Sequence, residues 1–469
     1  MDDGLVSLAQ ALNLGRSELV AFIGGGGKTS LMMALSKELG EQVVLTATTR
    51  LSVSQAQQIP EVIRIGSAIS AETKNRQRVP SYSAEIDRLF RQVSESLKRS
   101  GRCLVIGQQQ DDKLLGVAED LPGQLFASDD VDYVLVEADG SRRLPCKAPG
   151  PHEPVIPPES TIVIPSVGMD CLGKPLSETV HRPELVSAIT GLGADQYMTE
   201  QALARLITHP LGGLKGIPRQ SRVVPYLNKV DSEELQDSAR RIARQILKEE
   251  RIERVVLGAI RLNQPVRAIH RRVTAVVLAA GQSSRMGRHK LLLPWGETTV
   301  LGQTIANLLK TSVNDVIVVS GHDAQEVDGI ARQYGAKSIT NANYESGEMI
   351  SSVQTALGSL PGNCEAILVV LADQPMVESK SINRIVDTWA VSRSDLVAPV
   401  YGDRRGNPVI FGRRYFEELL SLPAGTAPRD ILARHDADLH LVPVETDSIH
   451  HDIDREEDYE RWRPITGRD

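Results

Sequence analysis

At 469 residues the chain exceeds one ordinary core, so two or more domains are expected. With 41% hydrophobic and 24% charged residues it is globular in composition, and 53 basic against 60 acidic side chains leave a net charge of −7. That charge, the lack of a basic block and aromatics at only 4% disfavour a nucleic-acid partner.

Four scattered cysteines, Cys103, Cys146, Cys171 and Cys364, form no CxxC pair and read as reduced thiols rather than a disulfide framework or zinc site. The acidic start MDDGLVSLAQ lacks a signal-peptide pattern. No apolar run reaches the ~20 residues of a membrane span. The expectation is a cytoplasmic protein with no membrane partner.

In chain order, the first apolar run is LVAFIG, residues 19–24, which meets GGGGKTS and then helical spacing over residues 31–39. Strand, glycine loop, Lys-Thr-Ser and helix form the layout of a phosphate-binding loop. Backbone N–H groups from Gly24 to Lys28 would face phosphates, Lys28 would reach the terminal ones, and Thr29 could ligate Mg²⁺. The standard spacing asks for Gly where Phe22 stands. The compact form G-x-x-G-K-T, as in Mur-type ligases, fits Gly24, Gly27, Lys28 and Thr29. The bland alternative is a flexible glycine turn.

Residues 43–49 (VVLTATT) and 103–107 (CLVIG) read as strands, and residues 81–100 have helical apolar spacing. Residues 131–140, VDYVLVEADG, are a strand ending in acids, where an NTPase holds Mg²⁺. Glu137 and Asp139 alternate, so both could face one side. Asp139, nearer the strand end, is the preferred metal residue, and the rival reading is a turn cap. The proline-rich 147–158, with His152 and Glu153, is a substrate loop or an ordered surface loop. In VVPYLNKVD, residues 223–231, the residues Asn228, Lys229 and Asp231 resemble the guanine-reading motif of GTPases, which favours GTP over ATP. Asp231 could instead cap the helix expected over residues 232–250. Strands alternate with helices throughout this half, the pattern of a doubly wound sheet. Residues 267–272, RAIHRR, are read as a linker.

FIGGGGKTS, TATTR, VEADGSRRLPCKAP, HEPVIP, HRPE and LNKVD resemble a YqeC-like family of accessory proteins for selenium-dependent molybdenum hydroxylases, over most of residues 5–262. The resemblance implies an NTP-binding accessory module and a molybdenum hydroxylase apoenzyme as partner.

The second half opens on TAVVLAAGQSSRMGRHK, residues 274–290. A β-branched run enters small residues, which let backbone N–H groups approach a polyphosphate. Arg285 and Lys290 could then neutralise its charge. LAAGxSxRMGxxK resembles the signature of the molybdenum cofactor cytidylyltransferase family, from about residue 274 to 462. The resemblance implies that the Ala279, Ala280 and Gly281 backbone accommodates nucleotide, with Ala280 favouring CTP over GTP. It also implies that Gly347 and Ser351 lie against the base; plain helix capping is their alternative.

Residues 315–321 and 365–375 are further strands, the second running EAILVVLADQP into Asp373. A carboxylate at the carboxyl end of a central parallel strand is where α/β sheets place ligand chemistry. There Asp373 would bind Mg²⁺, and the alternative is a turn residue. Arg404 and Arg405 would meet a pterin phosphate or sit in a solvated loop. In HHDIDREEDY, residues 450–459, the resemblance implies that Asp454, before Asp452, completes the Mg²⁺ site, although Arg455 replaces the usual Thr.

The expectation is α/β in two domains: 1–267, a P-loop-like doubly wound sheet, and 273–469, a Rossmann-like nucleotidyltransferase fold. The second would transfer CMP from CTP to the phosphate of molybdopterin or the molybdenum cofactor, with Mg²⁺, while GTP or ATP occupies the first. The rival readings are a nucleotide-gated cofactor carrier and a guanylyl or sugar-phosphate nucleotidyltransferase.

Overall fold

The computed structural model describes residues 6–66, 82–281, 286, 289–346, 349–392 and 394–464. The chain divides into two compact units, Met1–Ile269 and His270–Asp469. No helix among the described residues is long and apolar enough to cross a membrane.

The first unit is built on β1 (Glu18–Gly24), whose residues Leu19, Val20, Ala21 and Phe22 are all fully buried. A strand buried on both faces loses its alternation and reads as a continuous apolar run, as β1 does in sequence. In chain order follow β2 (Val43–Ala47), β3 (Val62–Arg64), β4 (Arg102–Ile106), β5 (Tyr133–Glu137), β6 (Ile162–Gly168), β7 (Tyr226–Asn228), β8 (Arg254–Ala259) and β9 (Gln264–Arg271). Their order across the sheet is β9-β8-β7-β6-β1-β5-β2-β4-β3. Every pairing from β8 to β3 is parallel, so the loops after β1, β5, β6 and β7 all leave from one edge. The helix α1 (Lys28–Leu39) starts straight after the glycine loop. Helices α2 (Tyr82–Ser100) and α3 (Glu233–Ile246) cover other parts of the sheet.

The division between the units falls inside residues 267–272, and most of that stretch is strand β9, on the sheet's edge, rather than irregular chain. Ala268, Ile269 and His270 in it are buried, which its basic composition did not suggest.

The second unit is built on β10 (Val273–Ala279). Then come α4 (Val300–Leu309), β11 (Asp315–Ser320), β12 (Lys337–Thr340), α5 (Met349–Leu357), β13 (Ala366–Leu371), β14 (Leu396–Tyr401), β15 (Arg404–Arg405), β16 (Val409–Gly412), β17 (Leu439–Pro443) and α6 (Glu456–Trp462). The order is β12-β11-β10-β13-β16-β14-β15, with β17 beside β14. Strands β12, β11, β10 and β13 are parallel, and β16 is antiparallel to β13 and β14. The chain builds outward from β10 to β12 and then returns to the other side of β10 as β13. The strand order therefore reverses between β10 and β13, the place where open α/β sheets bind ligands. Register pairs Leu278 with Leu371, so the segments leaving both strands begin side by side.

Candidate functional site

In the second unit, three expected residues converge at that reversal. Lys290 opens a short 3-10 turn (Lys290–Leu292) and donates to Asp373 Oδ2 at 2.5 Å and Asp454 Oδ1 at 2.9 Å. Asp373 stands two residues beyond β13, and its carbonyl accepts from Ile453 N at 3.1 Å, tying the two carboxylate-bearing segments together. With Arg455 rather than Thr after it, Asp454 still reaches Lys290. The cap of α6 comes from Asp458, which accepts from Arg455 N at 2.9 Å and Asp454 N at 3.3 Å. Asp452 lies beside the pair and accepts from buried Gln374 Nε2.

Burial works to lower the Lys290 pKa, but the Asp373 charge and hydrogen bonds to Asp373 and Asp454 raise it above its ordinary value. Burial, then repulsion from Asp373, pushes the Asp452 carboxyl upward. Two carboxylates thus share one ammonium with a third beside them, an arrangement with room for more positive charge. Mg²⁺ takes hard oxygen donors and often only one or two carboxylates besides phosphates, so Asp373 and Asp454 fit it.

Sequence reasoning missed what holds the Asp373 segment. Thr304 Oγ1 on α4 donates to Ala372 O at 3.1 Å, and Asn307 Nδ2 donates to Pro375 O at 2.9 Å and Val377 O at 3.0 Å. Nothing local in sequence marks contacts 68 to 70 residues away. Ala279 and Ala280 are buried at the end of β10 and Gly281 is exposed. Asn341 Nδ2 donates to Ser351 Oγ at 2.8 Å and Ser352 Oγ at 3.1 Å. Arg285 and Gly347 lie outside the described residues.

In the first unit the glycine loop is held from three directions. Gly24 N donates to both oxygens of Asp139, at 3.1 and 3.0 Å. Gly25 N donates to Ser166 O at 2.8 Å, and Gly26 N to Leu144 O at 3.2 Å. Asn228 Nδ2 donates to Gly26 O at 2.7 Å. Gly24, Gly26 and Gly27 have φ of 93°, 70° and 106°, a region closed to most side chains. Lys28, 3% exposed, reaches Gly24 O at 2.5 Å and Asp139 Oδ1 at 3.2 Å.

The carboxylate nearest Thr29 is not Asp139. Thr29 Oγ1 donates to Glu137 Oε2 at 2.6 Å and accepts from Gln55 Nε2 at 2.8 Å. Asp139 lies instead between two buried ammonium groups, Lys28 and Lys147, the latter at 3.1 Å. A metal on Asp139 would have to displace one of them, which leaves Glu137 the better-placed partner for Thr29. Burial raises the Glu137 pKa against the pull of Lys28 and Thr29.

Of the guanine-like motif, Asn228 joins the loop while Lys229 turns away to Asp170 Oδ2 at 2.6 Å, and Asp231 is exposed. Lys147 was not anticipated. It also bonds Glu153 Oε2 at 2.6 Å, which takes Arg182 Nη1 at 2.7 Å. Burial alone would raise the Glu153 carboxyl, but hydrogen bonds and charge from Arg182 and Lys147 bring it down to about 2. A depressed folded-state pKa adds stability that is fully present above the unfolded value, near 4.5, and fades as pH falls toward about 2. Glu153→Gln is therefore expected to be less stable at pH 7 and to show a flatter acid limb. Urea unfolding of both proteins across that window checks this, and parallel limbs would remove Glu153 from the acid response.

Residues 20–184 match the YqeC protein family, and residues 275–439 match the MobA-like NTP transferase domain. The Escherichia coli (strain K12) protein YqeC is 31% identical over 218 residues, 46% of this chain and 77% of that one. The molybdenum cofactor cytidylyltransferase of the same organism is 27% identical over 188 residues, 40% of this chain and 93% of that one. The nicotine blue oxidoreductase of Paenarthrobacter nicotinovorans is 28% identical over 189 residues, 39% of this chain and 92% of that one.

Proposed function

We propose a division of labour for this chain, which belongs to the YqeC family in its first unit and carries a MobA-like NTP transferase domain in its second. The second unit transfers CMP from CTP to the phosphate of molybdopterin or its molybdenum form. The first unit is an NTP-binding accessory module that serves maturation of a molybdenum hydroxylase.

The observation that carries the transfer reading is Lys290 held between Asp373 and Asp454 where β10 and β13 diverge. A phosphate oxygen of the acceptor attacks the α-phosphorus of CTP, a new P–O bond forms, and the bond to the β-phosphate oxygen breaks to release pyrophosphate. The acceptor phosphate is already anionic, so no strong base is needed, and the residues contribute position and charge. Bound between Asp373 and Asp454, Mg²⁺ would supply neutralisation of the triphosphate. Lys290, freed from its carboxylates, turns to the phosphates, a role it shares with Arg285, five positions earlier. The small Ala279–Gly281 backbone leaves space for the nucleotide, and Ser351 borders the base, the role that the sequence resemblance also implies for Gly347.

Full-length protein with Mg²⁺ and purified molybdenum cofactor is expected to release pyrophosphate from CTP in preference to GTP, ATP and UTP. One base hydrogen bond lost with UTP amounts to about tenfold. Equal rates with all four nucleotides would reject the cytidylyl assignment, and release only with another acceptor would reject molybdopterin.

A further inference from the structure

We propose that Arg142 and Arg143 form a second anion site beside the glycine loop, one that takes a phosphomonoester alongside the nucleotide. The proposal rests on the reading of Gly24–Thr29 as an NTP site.

Three observations carry it. First, the backbone there is strained. Arg142, Arg143 and Arg182 have φ of 51°, 64° and 65°, a left-handed conformation that long side chains rarely adopt. Strain of that kind persists where surrounding structure imposes it, and it clusters at ligand sites. Second, the surroundings that impose it are the glycine loop itself. Leu144 N closes a turn onto Ser141 O at 3.0 Å, Leu144 O accepts from Gly26 N, and Pro145 O accepts from Gly168 N at 2.9 Å. A Cβ on Gly25 would lie 2.7 Å from Pro145 O and 2.8 Å from Leu144 O, so the two loops touch backbone to backbone. Third, the charges do not balance. Lys28, Lys147 and Arg182 are matched by Asp139 and Glu153, which they share, and by Glu137 beside Lys28 and Glu184 beside Arg182. Arg142 and Arg143 add two exposed charges with no ion pair among the described residues. Two surplus exposed cations beside a buried ammonium group make a positive local field that attracts an anion.

His181 sits in the same place, in register with Lys147. Burial, then Arg182, Lys147 and Arg142, keep its imidazole pKa low, so it offers one N–H without another charge. Thr29, Glu137 and Gln55 lie together on one flank of the loop, whereas Leu144 and Pro145, which follow the two arginines, abut Gly25, Gly26 and the end of β6.

The test uses the full-length chain with its glycine loop saturated by a non-hydrolysable GTP or ATP analogue, and inorganic phosphate as the probe. Phosphate binding is read by calorimetry for wild type, Arg142→Ala/Arg143→Ala and Arg142→Gly/Arg143→Gly. Both variants are expected to lose about tenfold or more in phosphate affinity, as expected for lost charge-assisted bonds, while analogue affinity moves less than about threefold. The glycine variant should also unfold at higher denaturant, since it relieves the left-handed strain. Unchanged phosphate binding overturns the proposal. Loss of analogue and phosphate together also overturns it, since the arginines would then belong to the nucleotide. If wild type binds no analogue yet the variants still lose phosphate, the nucleotide reading fails and the arginine site stands.

Discussion

Asp373→Asn is expected to abolish pyrophosphate release, by about 10³-fold or more, while the second unit stays folded. The two halves of that expectation have different causes. Asp373 Oδ2 is the nearer of the two oxygens that converge on the Lys290 ammonium, and it stands where β10 and β13 part. Its charge is what a divalent cation would use there, and asparagine keeps the shape while removing the charge. Stability responds differently because Asp373 and Asp454 share one lysine and Asp452 lies beside them. Burial, then repulsion from Asp373, pushes Asp452 upward, so neutralising Asp373 relieves part of that repulsion as it weakens the Lys290 pair. The pair is partly exposed, 16% and 17%, so the net change should stay within about 1 kcal/mol. Circular dichroism and denaturant unfolding check the fold, and the pyrophosphate assay checks the rate. Asp454→Asn, at 41% exposure and a longer 2.9 Å contact, should lose less activity than Asp373→Asn. Wild-type turnover in Asp373→Asn would end the metal assignment, while loss of fold would make Asp373 a structural anchor instead.

The strands that carry both sites were legible in sequence because parallel strands buried on two faces are written as unbroken apolar runs. VVLAA and LVAFIG announced β10 and β1, and in each the next small residues announced a turn at the carboxyl edge. Legibility ended where side chains far apart in sequence meet. The charge of Lys28 on Asp139, 111 residues on, and of Lys290 on Asp373 and Asp454 is fixed by strand order, which composition does not encode. For the same reason alternation placed Glu137 and Asp139 on one side but could not say which one Thr29 would meet. Lys147 and Glu153, in a proline-rich stretch, carried no signal for a buried ion network at all. The two units do share one device: the lysine expected to bind phosphate is folded onto a carboxylate just past a strand's end. In each, a polyphosphate must outcompete that carboxylate, and Asp139 keeps Lys147 as a second partner when Lys28 leaves.

Gly26→Ala should remove nucleotide binding by the first unit and loosen the sheet beneath it. A Cβ at this position would lie 1.9 Å from Gly168 N and 2.5 Å from Val167 C, both backbone atoms of β6. Backbone cannot swing aside as a side chain does, and φ of 70° adds its own cost for alanine. Relief requires moving either the loop or the end of β6, at about 2–4 kcal/mol in sum. The hydrogen bonds of Gly25 N to Ser166 O and of Gly168 N to Pro145 O lie directly across this contact. Amide exchange at Gly25 and Gly168 should therefore speed up before exchange elsewhere in the sheet. Two companions separate crowding from chemistry. Gly140→Ala, where a Cβ meets nothing within 4 Å, should leave both binding and exchange alone. Lys28→Ala should lose nucleotide while keeping slow exchange, because Asp139 retains Lys147 and the loop retains its backbone bonds. Fluorescent-nucleotide titration reads the binding arm. Full affinity in both Gly26→Ala and Lys28→Ala would mean that Gly24 to Thr29 is a packing turn, and that any nucleotide of the first unit sits elsewhere.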